Sequence, residues 1–336
     1  MAETIALVKL SALGDVVHAL PVACALRVMR PQARLVWVVE RREAALLAGH
    51  PALDAVVVSD LRRWRRPRGP RALLETAREI RALRRELRRL TIDVALDLQG
   101  LVKSGMLTLA TGAPARIGFQ ARWCREPLSA LFTNRRVALP PRAAHAVDEC
   151  LGLLAPLGVP PDRVTFGLPP NPRAEVRADE ILAAAGLKAR RRLVVLNPGA
   201  GRDDKRWPPA CFRELGERLA ADLAASVLVV WGPGEDSIAR DVVEGVRAPG
   251  VVLAPPTDLH ELIAVLRRAS VVVAADTGPL HLAAAVGTPC VGLFGPTPAA
   301  RNGPYGPGQR ALAAPDGRMT SITVGEVLRL AGEALG

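Results

Sequence analysis

Short apolar runs alternate with amphipathic segments through the first half of the chain. The apolar runs, typical of buried strands, occupy residues 5–9, 35–39, 55–58 and 94–98. Apolar residues at helical spacing predict helices over 14–29 and 70–90, and a further helix starts near Leu101. This alternation of strands and helices predicts a parallel sheet with helices on both faces.

The same alternation returns in the second half. Predicted strands cover residues 193–197, 227–231, 251–254, 271–275 and 290–294, and predicted helices cover 208–223, 237–246, 259–269 and 279–286. Prolines are dense between Pro156 and Pro172, where neither a helix nor a central strand can continue. We therefore expect an α/β protein of two Rossmann-like domains facing a cleft.

The domain bounds follow from these patterns. We expect an N-terminal domain over 1–160, a linker over 161–175 and a C-terminal domain over 176–322. A C-terminal helix over 323–336 is expected to pack back towards the N-terminal domain. Ligands of open α/β sheets bind beyond the carboxyl ends of the strands, so the active site is expected in the cleft.

Composition narrows the class of protein. The 336 residues are 49% hydrophobic and only 3% aromatic, enough for two aliphatic cores. The chain has no basic leader and no uninterrupted apolar stretch of about 20 residues, so we expect a soluble protein. Five well-separated cysteines without a C-x-x-C pair favour reduced thiols in a cytoplasm over disulfides or a zinc site.

The net charge of +12 is concentrated in one segment. Between Arg62 and Arg89, twelve arginines stand against three glutamates. Such a block attracts an anionic partner: nucleic acid, a phosphorylated lipid surface or an acidic sugar. The alternative is a solvated helix, since Glu75 and Glu79 lie at spacings that allow ion pairs with nearby arginines.

Residues 275–281, Ala-Asp-Thr-Gly-Pro-Leu-His, run from a strand end into a helix with proline at its start. The free N–H groups of such a helix form a site for a diphosphate. Thr277 adds a hydroxyl donor, Gly278 allows close approach, and His281 lies on the first turn. The alternative is an ordinary turn that Asp276 or Thr277 caps.

A second strand-to-helix loop spans residues 197–208. Lys205 and Arg206 are suited to offset the charge that builds on a departing diphosphate. The loop lacks the Walker pattern, and the absence of G-x-G-x-x-G weakens a nicotinamide-dependent oxidoreductase. A solvated basic loop is the alternative.

Residues 9–18 place Asp15 beyond the first strand, where a helix opens. The helix dipole stabilises a carboxylate there, so Asp15 is expected to stay ionised and to accept a proton from a sugar hydroxyl. Equally, Asp15 could only cap the helix.

Two further strand ends carry polar groups. Glu235 and Asp236 follow one of these strands, where an acidic residue suits ribose hydroxyls. Residues 97–104 follow the other strand.

Together these motifs resemble the ADP-heptose:lipopolysaccharide heptosyltransferases, most of all the heptosyltransferase I group. The matching segments, in family order, are 9–21, 37–40, 62–65, 97–104, 125–128, 134–135, 145–147, 202–208, 231–232 and 276–282. The resemblance implies a type-B glycosyltransferase fold and an inverting enzyme that needs no metal or other cofactor.

The resemblance also implies roles for individual residues. Asp15 is the general base. The donor, ADP-heptose, is expected to contact Ser11, Gly14, Lys205, Glu235 or Asp236, Asp276, Thr277, Gly278 and His281. The acceptor, the Kdo region of lipid A, is expected to contact His18, Arg62, Arg63, Arg65, Arg66, Gln99, Lys103 and Arg125. Arginines suit acidic sugars because they bind carboxylate and phosphate groups bidentately.

The resemblance further implies a cytoplasmic enzyme, peripheral to the inner membrane, with no obligate protein partner. One alternative is a glycosyltransferase of the same fold with another donor or acceptor. Another is a nucleic-acid-binding protein that uses the arginine block. Trp64 is the one aromatic residue in that block, whereas single-strand binders combine basic grooves with several stacking aromatics, so we expect no nucleic-acid partner.

Overall fold

The computed structural model describes residues 2–64, 69–139, 145–159, 164–187 and 192–336. Within these residues the chain forms two compact units, Met1–Gly167 and Leu168–Gly336. Each unit contains one six-stranded parallel sheet. None of the described helices combines the length and apolarity that crossing a membrane requires.

The first unit holds strands β1 to β6 and helices α1 to α5. The strands are β1 (Thr4–Val8), β2 (Arg34–Glu40), β3 (Ala55–Ser59), β4 (Val94–Asp97), β5 (Ala115–Phe119) and β6 (Arg135–Val137). The helices are α1 (Leu13–Met29), α2 (Leu61–Trp64), α3 (Pro70–Arg89), α4 (Val102–Ala110) and α5 (Ala146–Gly152). A 3-10 helix, Pro127–Phe132, links β5 to β6.

The first sheet has the order β3-β2-β1-β4-β5-β6, the order of a Rossmann half-fold. Strands β1 and β4 are fully buried, as expected where helices cover both faces of a parallel sheet. Leu83 and Leu87 of α3 and Leu107 of α4 pack with Ala6 and Val8 of β1 in one core cluster. Helices α3 and α4 therefore cover the same face of the sheet.

The second unit holds helices α6 to α12 and strands β7 to β12. The strands are β7 (Leu193–Asn197), β8 (Ser226–Val229), β9 (Val251–Leu253), β10 (Val271–Ala275), β11 (Cys290–Phe294) and β12 (Arg310–Ala313). The helices are α6 (Pro172–Ala184), α7 (Pro209–Asp222), α8 (Asp236–Val243), α9 (Leu259–Arg268), α10 (Gly278–Ala285), α11 (Ala299–Asn302) and α12 (Val324–Leu335).

The second sheet repeats the topology of the first, with the order β9-β8-β7-β10-β11-β12. Its central strands β7, β10 and β11 are buried throughout. The order reverses between β7 and β10, as it does between β1 and β4 in the first unit. The prediction of two Rossmann-like α/β units is confirmed.

One segment differs from the expectations. The last four residues of the predicted linker, 161–175, are helical, because Asn171 caps α6 through the N–H groups of Arg173 and Ala174 and Pro172 takes the first turn. The buried residues Val327 and Ala331 of the C-terminal helix α12 join the core of the second unit, where α12 lies against α7, β10 and β11. The expected packing of this helix towards the N-terminal domain stays a prediction.

Candidate active site

In the first unit the candidate site lies where the strand order reverses. Asp15 follows β1, and Gln99 follows β4, the neighbour of β1. Crevices at such a reversal are the usual ligand sites of open α/β sheets. The topology therefore brings together two segments that are 84 positions apart in the chain.

Gln99 fastens the loop between β1 and α1. Its side-chain oxygen accepts from the Leu10 N–H at 2.8 Å, and its amide nitrogen donates to the Ser11 carbonyl at 2.7 Å. The side chain is 5% exposed. Both ends of its amide therefore hold the loop that leads to Asp15, and the expected contact of Gln99 with an acceptor stays a prediction.

A close approach at Gly100 places Arg125 beside this loop. Gly100 has a φ of +67°, and a side chain there would press on the Cα of Cys124, so glycine is required. The Glu126 N–H donates to the Gly100 carbonyl at 3.0 Å. The arginine between Cys124 and Glu126 reaches Asp15, with 3.6 Å between Arg125 Nη1 and Asp15 Oδ2.

Asp15 itself is partly exposed, with a quarter of its side chain accessible. Its Oδ2 also accepts from the Ala12 N–H at 3.2 Å, so the capping role holds locally. Beside it, Lys103 Nζ donates to the Ser11 hydroxyl at 3.3 Å. The site thus combines one accessible carboxylate with two cations, suited to proton acceptance next to an anionic substrate.

Two arginines of the basic block are already engaged with carboxylates. Arg62 Nη2 lies 3.2 Å from Glu43 Oε1, and Arg63 pairs with both Asp60 and Glu79. An acceptor that bound these two guanidinium groups would compete with the carboxylates, and the expected acceptor contact stays a prediction. Arg62 and Arg63 remain about half exposed, whereas Arg65 and Arg66 lie outside the described residues.

Two buried glutamates of this unit were given no role by sequence reasoning. Burial raises the pKa of Glu40, which ends β2, although nearby amides and the charges of Lys103 and Arg62 partly oppose that rise. Burial likewise raises the pKa of Glu43. Glu40 could have been found as a charged residue that ends a buried strand. His18 is also buried and packs edge-on against His145, 5.3 Å between ring centroids.

In the second unit an ionic cluster occupies the corresponding position. Lys205, in the loop after β7, donates to Asp276 Oδ2 at 2.7 Å, and His281 Nε2 lies 3.1 Å from Asp276 Oδ1. Asp276 follows β10, the strand paired with β7. The structure therefore joins three residues that sequence reasoning assigned to two separate motifs.

The cluster controls the ionisation of Asp276. Burial pushes the pKa of its carboxyl upward, but hydrogen bonds and charge interactions with His281 and Lys205 outweigh burial and hold that pKa well below its usual range. Asp276 therefore acts as the anchor of Lys205 and His281. Each of the two side chains is less than a tenth exposed, and the expected contact of Asp276 and His281 with a donor stays a prediction.

Helix α10 begins at Gly278, with Pro279 in its first turn. The Thr277 hydroxyl donates to the Ala275 carbonyl at 3.1 Å and forms no capping bond; its expected contact with a donor stays a prediction. Pro279 has no N–H to offer. The amides of Gly278 and Leu280 remain as donors of the first turn, beside Lys205.

The loop that carries Lys205 is tied down on both sides. Arg206 donates twice to the Ala200 carbonyl, at 3.1 and 3.0 Å. Trp207 is fully buried, stacks edge-on against Phe212 and donates to the Ile322 carbonyl at 3.0 Å. Arg206, a candidate phosphate ligand, thus closes the loop, and Lys205 is the cation left at its end.

The two acidic residues after β8 have different surroundings. Glu235 accepts from the Gly232 N–H at 3.1 Å, and its carboxyl lies over Gly199, where an added methyl group would collide with it. Asp236 is exposed and lies 4.0 Å from Arg240 on the same helix. Glu235 therefore belongs to the loops of the candidate site, whereas Asp236 belongs to the outer surface of α8.

Asn197, the last residue of β7, was missed by sequence reasoning. It is 1% exposed, and neither amide atom of its side chain has a hydrogen-bond partner among the described residues. Such a group is costly to bury unless something satisfies it. The available signal was its position as a polar residue ending an otherwise apolar strand. No group of three His, Cys, Asp or Glu side chains within the described residues is placed to bind a metal.

A family model named glycosyltransferase family 9 (heptosyltransferase) matches residues 80–328 of this chain. The chain belongs to that family. Lipopolysaccharide heptosyltransferase 1 of Escherichia coli K12 is 31% identical over 323 residues, which cover 96% of this chain and 97% of the relative. The Pseudomonas aeruginosa enzyme of the same name is 35% identical over 306 residues, 90% of this chain and 81% of the relative.

Solved structures agree with the sequence relatives. The Escherichia coli heptosyltransferase WaaC with ADP superposes with a TM-score of 0.81 at 30% identity, covering 98% of this chain and 99% of WaaC. The same enzyme with ADP-2-deoxy-2-fluoro heptose gives 0.79 at 31% identity, with the same coverage. The chain is therefore a glycosyltransferase of the type-B fold, and the resemblance found in the sequence is confirmed.

Proposed function

We propose that this enzyme transfers a heptose from ADP-heptose to the Kdo region of the lipopolysaccharide inner core. The proposal is carried by the Lys205–Asp276–His281 cluster at the ends of β7 and β10. It draws support from similarity, over 98% of the chain, to a heptosyltransferase solved with an ADP-heptose analogue.

The second unit binds the donor. Lys205, held by Asp276, offsets the charge that develops on the departing ADP, and the first-turn amides of α10 hold a phosphate. Because a fixed cation and amides supply this stabilisation, the transfer needs no metal or other cofactor. Glu235 accepts hydrogen bonds from the ribose hydroxyls. Its carboxyl is close to the donor site, because it lies beside Gly199 in the loop that carries Lys205. Asn197 lies close to this donor site, because it pairs in register with Ala274, two residues before Asp276.

The first unit binds the acceptor. Asp15 takes the proton of the acceptor hydroxyl as that oxygen attacks the anomeric carbon, the bond to ADP breaks, and the configuration inverts. Arg125 and Lys103, both near Asp15, pair with acidic groups of the acceptor. Gln99 keeps the Asp15 loop in place.

The enzyme works at the cytoplasmic face of the inner membrane, where a lipid-borne acceptor is presented. Reduced cysteines and the names of its relatives support this location. Neither nucleic acid nor an obligate protein partner takes part.

The test is an assay for released ADP with purified enzyme, ADP-heptose and Kdo-bearing lipid A. We expect release that depends on both substrates and persists in a metal chelator. UDP- and GDP-sugars serve as donor controls, and lipid A lacking Kdo serves as the acceptor control. Equal turnover of a UDP-sugar, or of the acceptor without Kdo, would contradict the proposal and favour another type-B glycosyltransferase activity.

A further inference from the structure

The arginines and glutamates of α3 lie on different sides of the helix. With 3.6 residues per turn, positions spaced by three and four form stripes along the helix. Glu75, Glu79 and Glu86 share one stripe, together with Ala82. The two stripes on the other side carry no acidic residue, and their arginines are Arg78, Arg81, Arg84, Arg85 and Arg88. All five are exposed.

These arginines are not neutralised within the protein. Among the described residues, none of the five takes part in an ion pair within 4.0 Å; Arg85 Nε donates to the Arg81 carbonyl, and the Arg88 guanidinium lies against Gly112. Glu79, the candidate partner on the same helix, instead accepts from Arg63 and from the Trp64 indole. The arginines of α3 are therefore solvent-exposed, as the solvated-helix alternative expects, but the described part of the helix does not show the ion pairs that its spacings allow.

The same two stripes expose large apolar side chains. Leu73, Leu74 and Ile80 are 56%, 63% and 46% exposed, although Leu83 and Leu87 on the inner stripe are buried. Helix α4 covers the same sheet face and exposes Met106 and Leu109. Beside α4, the 3-10 helix exposes Leu128 and Leu131 at 66% and 72%. One face of the first unit therefore mixes apolar side chains with unpaired positive charge.

We infer that this α3–α4 face, formed by the exposed residues of α3, α4 and the 3-10 helix, docks on an anionic bilayer surface. Arginines attract anionic headgroups, and exposed leucine and isoleucine side chains enter the boundary between headgroups and acyl chains. The functional reason for this docking rests on the proposed function, in which the acceptor is carried by a lipid that the enzyme must reach. The docking itself can be measured without any transfer reaction.

A nucleic acid is the other anionic partner to weigh against a bilayer. Strand binding draws on aromatic side chains that stack with bases. The described part of this face offers leucine, isoleucine and methionine instead, and the neighbouring Trp64 donates its indole N–H to Glu79 at 2.6 Å. The composition of the face therefore favours a lipid surface.

The experiment is sedimentation of the full-length enzyme with vesicles of two compositions. One contains phosphatidylcholine alone, and the other contains phosphatidylcholine and phosphatidylglycerol in a three-to-one ratio. We expect binding to the anionic vesicles that weakens as salt rises, with little binding to the neutral ones. The charge variant Arg78→Gln/Arg81→Gln/Arg85→Gln should bind anionic vesicles at least about tenfold more weakly. The apolar variant Leu73→Ser/Leu74→Ser should also bind more weakly.

The matched control is Arg173→Gln/Arg240→Gln/Arg329→Gln, which removes three exposed arginines of the second unit. It should bind vesicles like the wild type. An equal loss of vesicle binding in the two triple variants would mean that the net charge of the protein, and not the α3–α4 face, drives the binding. No binding of the wild type to anionic vesicles, equal binding to neutral ones, or equal loss in both triple variants would overturn the inference. The inference would also be overturned if the charge variant lost binding to single-stranded RNA but bound anionic vesicles like the wild type.

Transfer assays separate this inference from the proposed function. The charge and apolar variants should keep wild-type turnover on a deacylated, water-soluble Kdo acceptor. If no variant or wild-type enzyme turns over ADP-heptose, the proposed function fails while vesicle binding still reports on the α3–α4 face.

Discussion

The two units share one strand order, yet different interactions hold the loops at their strand reversals. In the first unit, the neutral amide of Gln99 fastens the loop before Asp15. In the second, the buried Asp276 carboxylate fixes the cation of Lys205. A shared topology therefore sets where each site lies, whereas the residues after the strands set what each can do: one presents an accessible carboxylate, the other a fixed positive charge.

The largest effect is expected from Asp15→Asn, which removes the base and keeps the shape of the side chain. General-base catalysis contributes a factor of about 10²–10⁴, so we expect kcat to fall by that order in the ADP-release assay. The control is Asp54→Asn, in the same unit but paired with Arg27. Full activity of Asp15→Asn would remove this residue from the mechanism.

Asp276→Asn breaks the ionic cluster of the second unit. Losing one partner of a buried pair leaves Lys205 uncompensated, so we expect the free energy of unfolding at pH 7 to fall by about 3 kcal/mol. Because the folded-state pKa of Asp276 is depressed, its contribution is present above the unfolded value of about 3.9 and is lost as pH falls through the folded pKa.

Urea unfolding at several pH values measures this effect. Below about pH 4, the difference between wild type and Asp276→Asn should shrink as the Asp276 carboxyl takes up a proton. Asp204→Asn, which removes the half-exposed partner of Arg202 on the same loop, should change little. A difference that grows as the pH falls below about 4 would contradict the assigned ionisation.

Gln99→Leu tests whether the neutral fastening positions Asp15. A shift of the loop by about 1 Å can cost on the order of 100-fold in rate, so we expect kcat to fall roughly 10- to 100-fold with ADP affinity unchanged. Asn134 offers a matched control, because its amide also spans two backbone groups, those of Arg116 and Pro114. Asn134→Leu should keep wild-type kcat; an equal loss in both would mean that Gln99 only stabilises the fold.

The smallest effect separates the two acidic residues after β8. Glu235→Gln should weaken ADP binding about tenfold, as expected for a lost charge-assisted hydrogen bond. Asp236→Asn should leave ADP binding unchanged, because that side chain lies on the outer surface of α8. The reverse order in calorimetric titrations would assign the ribose to Asp236.

Much of the fold could be predicted because the central strands are apolar throughout. The predicted bounds of β7 and β10 agree with the structure residue for residue. The strands that went unpredicted, β5, β6 and β12, are short or only partly buried. Their weak apolar signal carries no period that distinguishes them from loops.

For the site, the sequence could indicate which residues follow the strands, but not which atoms meet. The contact of Lys205 with Asp276 joins positions 71 residues apart, and only strand order brings them together. Similarly, no residue near Gln99 in the sequence indicates that its side-chain amide forms hydrogen bonds with the backbone of Leu10 and Ser11. Asn197 and Glu40 could have been identified as polar residues that end buried strands.

Calorimetric titration of ADP into wild type, Asp15→Asn and Lys205→Ala tests the division of labour between the units most directly. The account predicts that Asp15→Asn binds ADP within a few-fold of wild type, whereas Lys205→Ala loses about 1.5–3 kcal/mol of binding free energy with the charged contact. Wild-type ADP affinity in Lys205→Ala, or a comparable loss in Asp15→Asn, would contradict it.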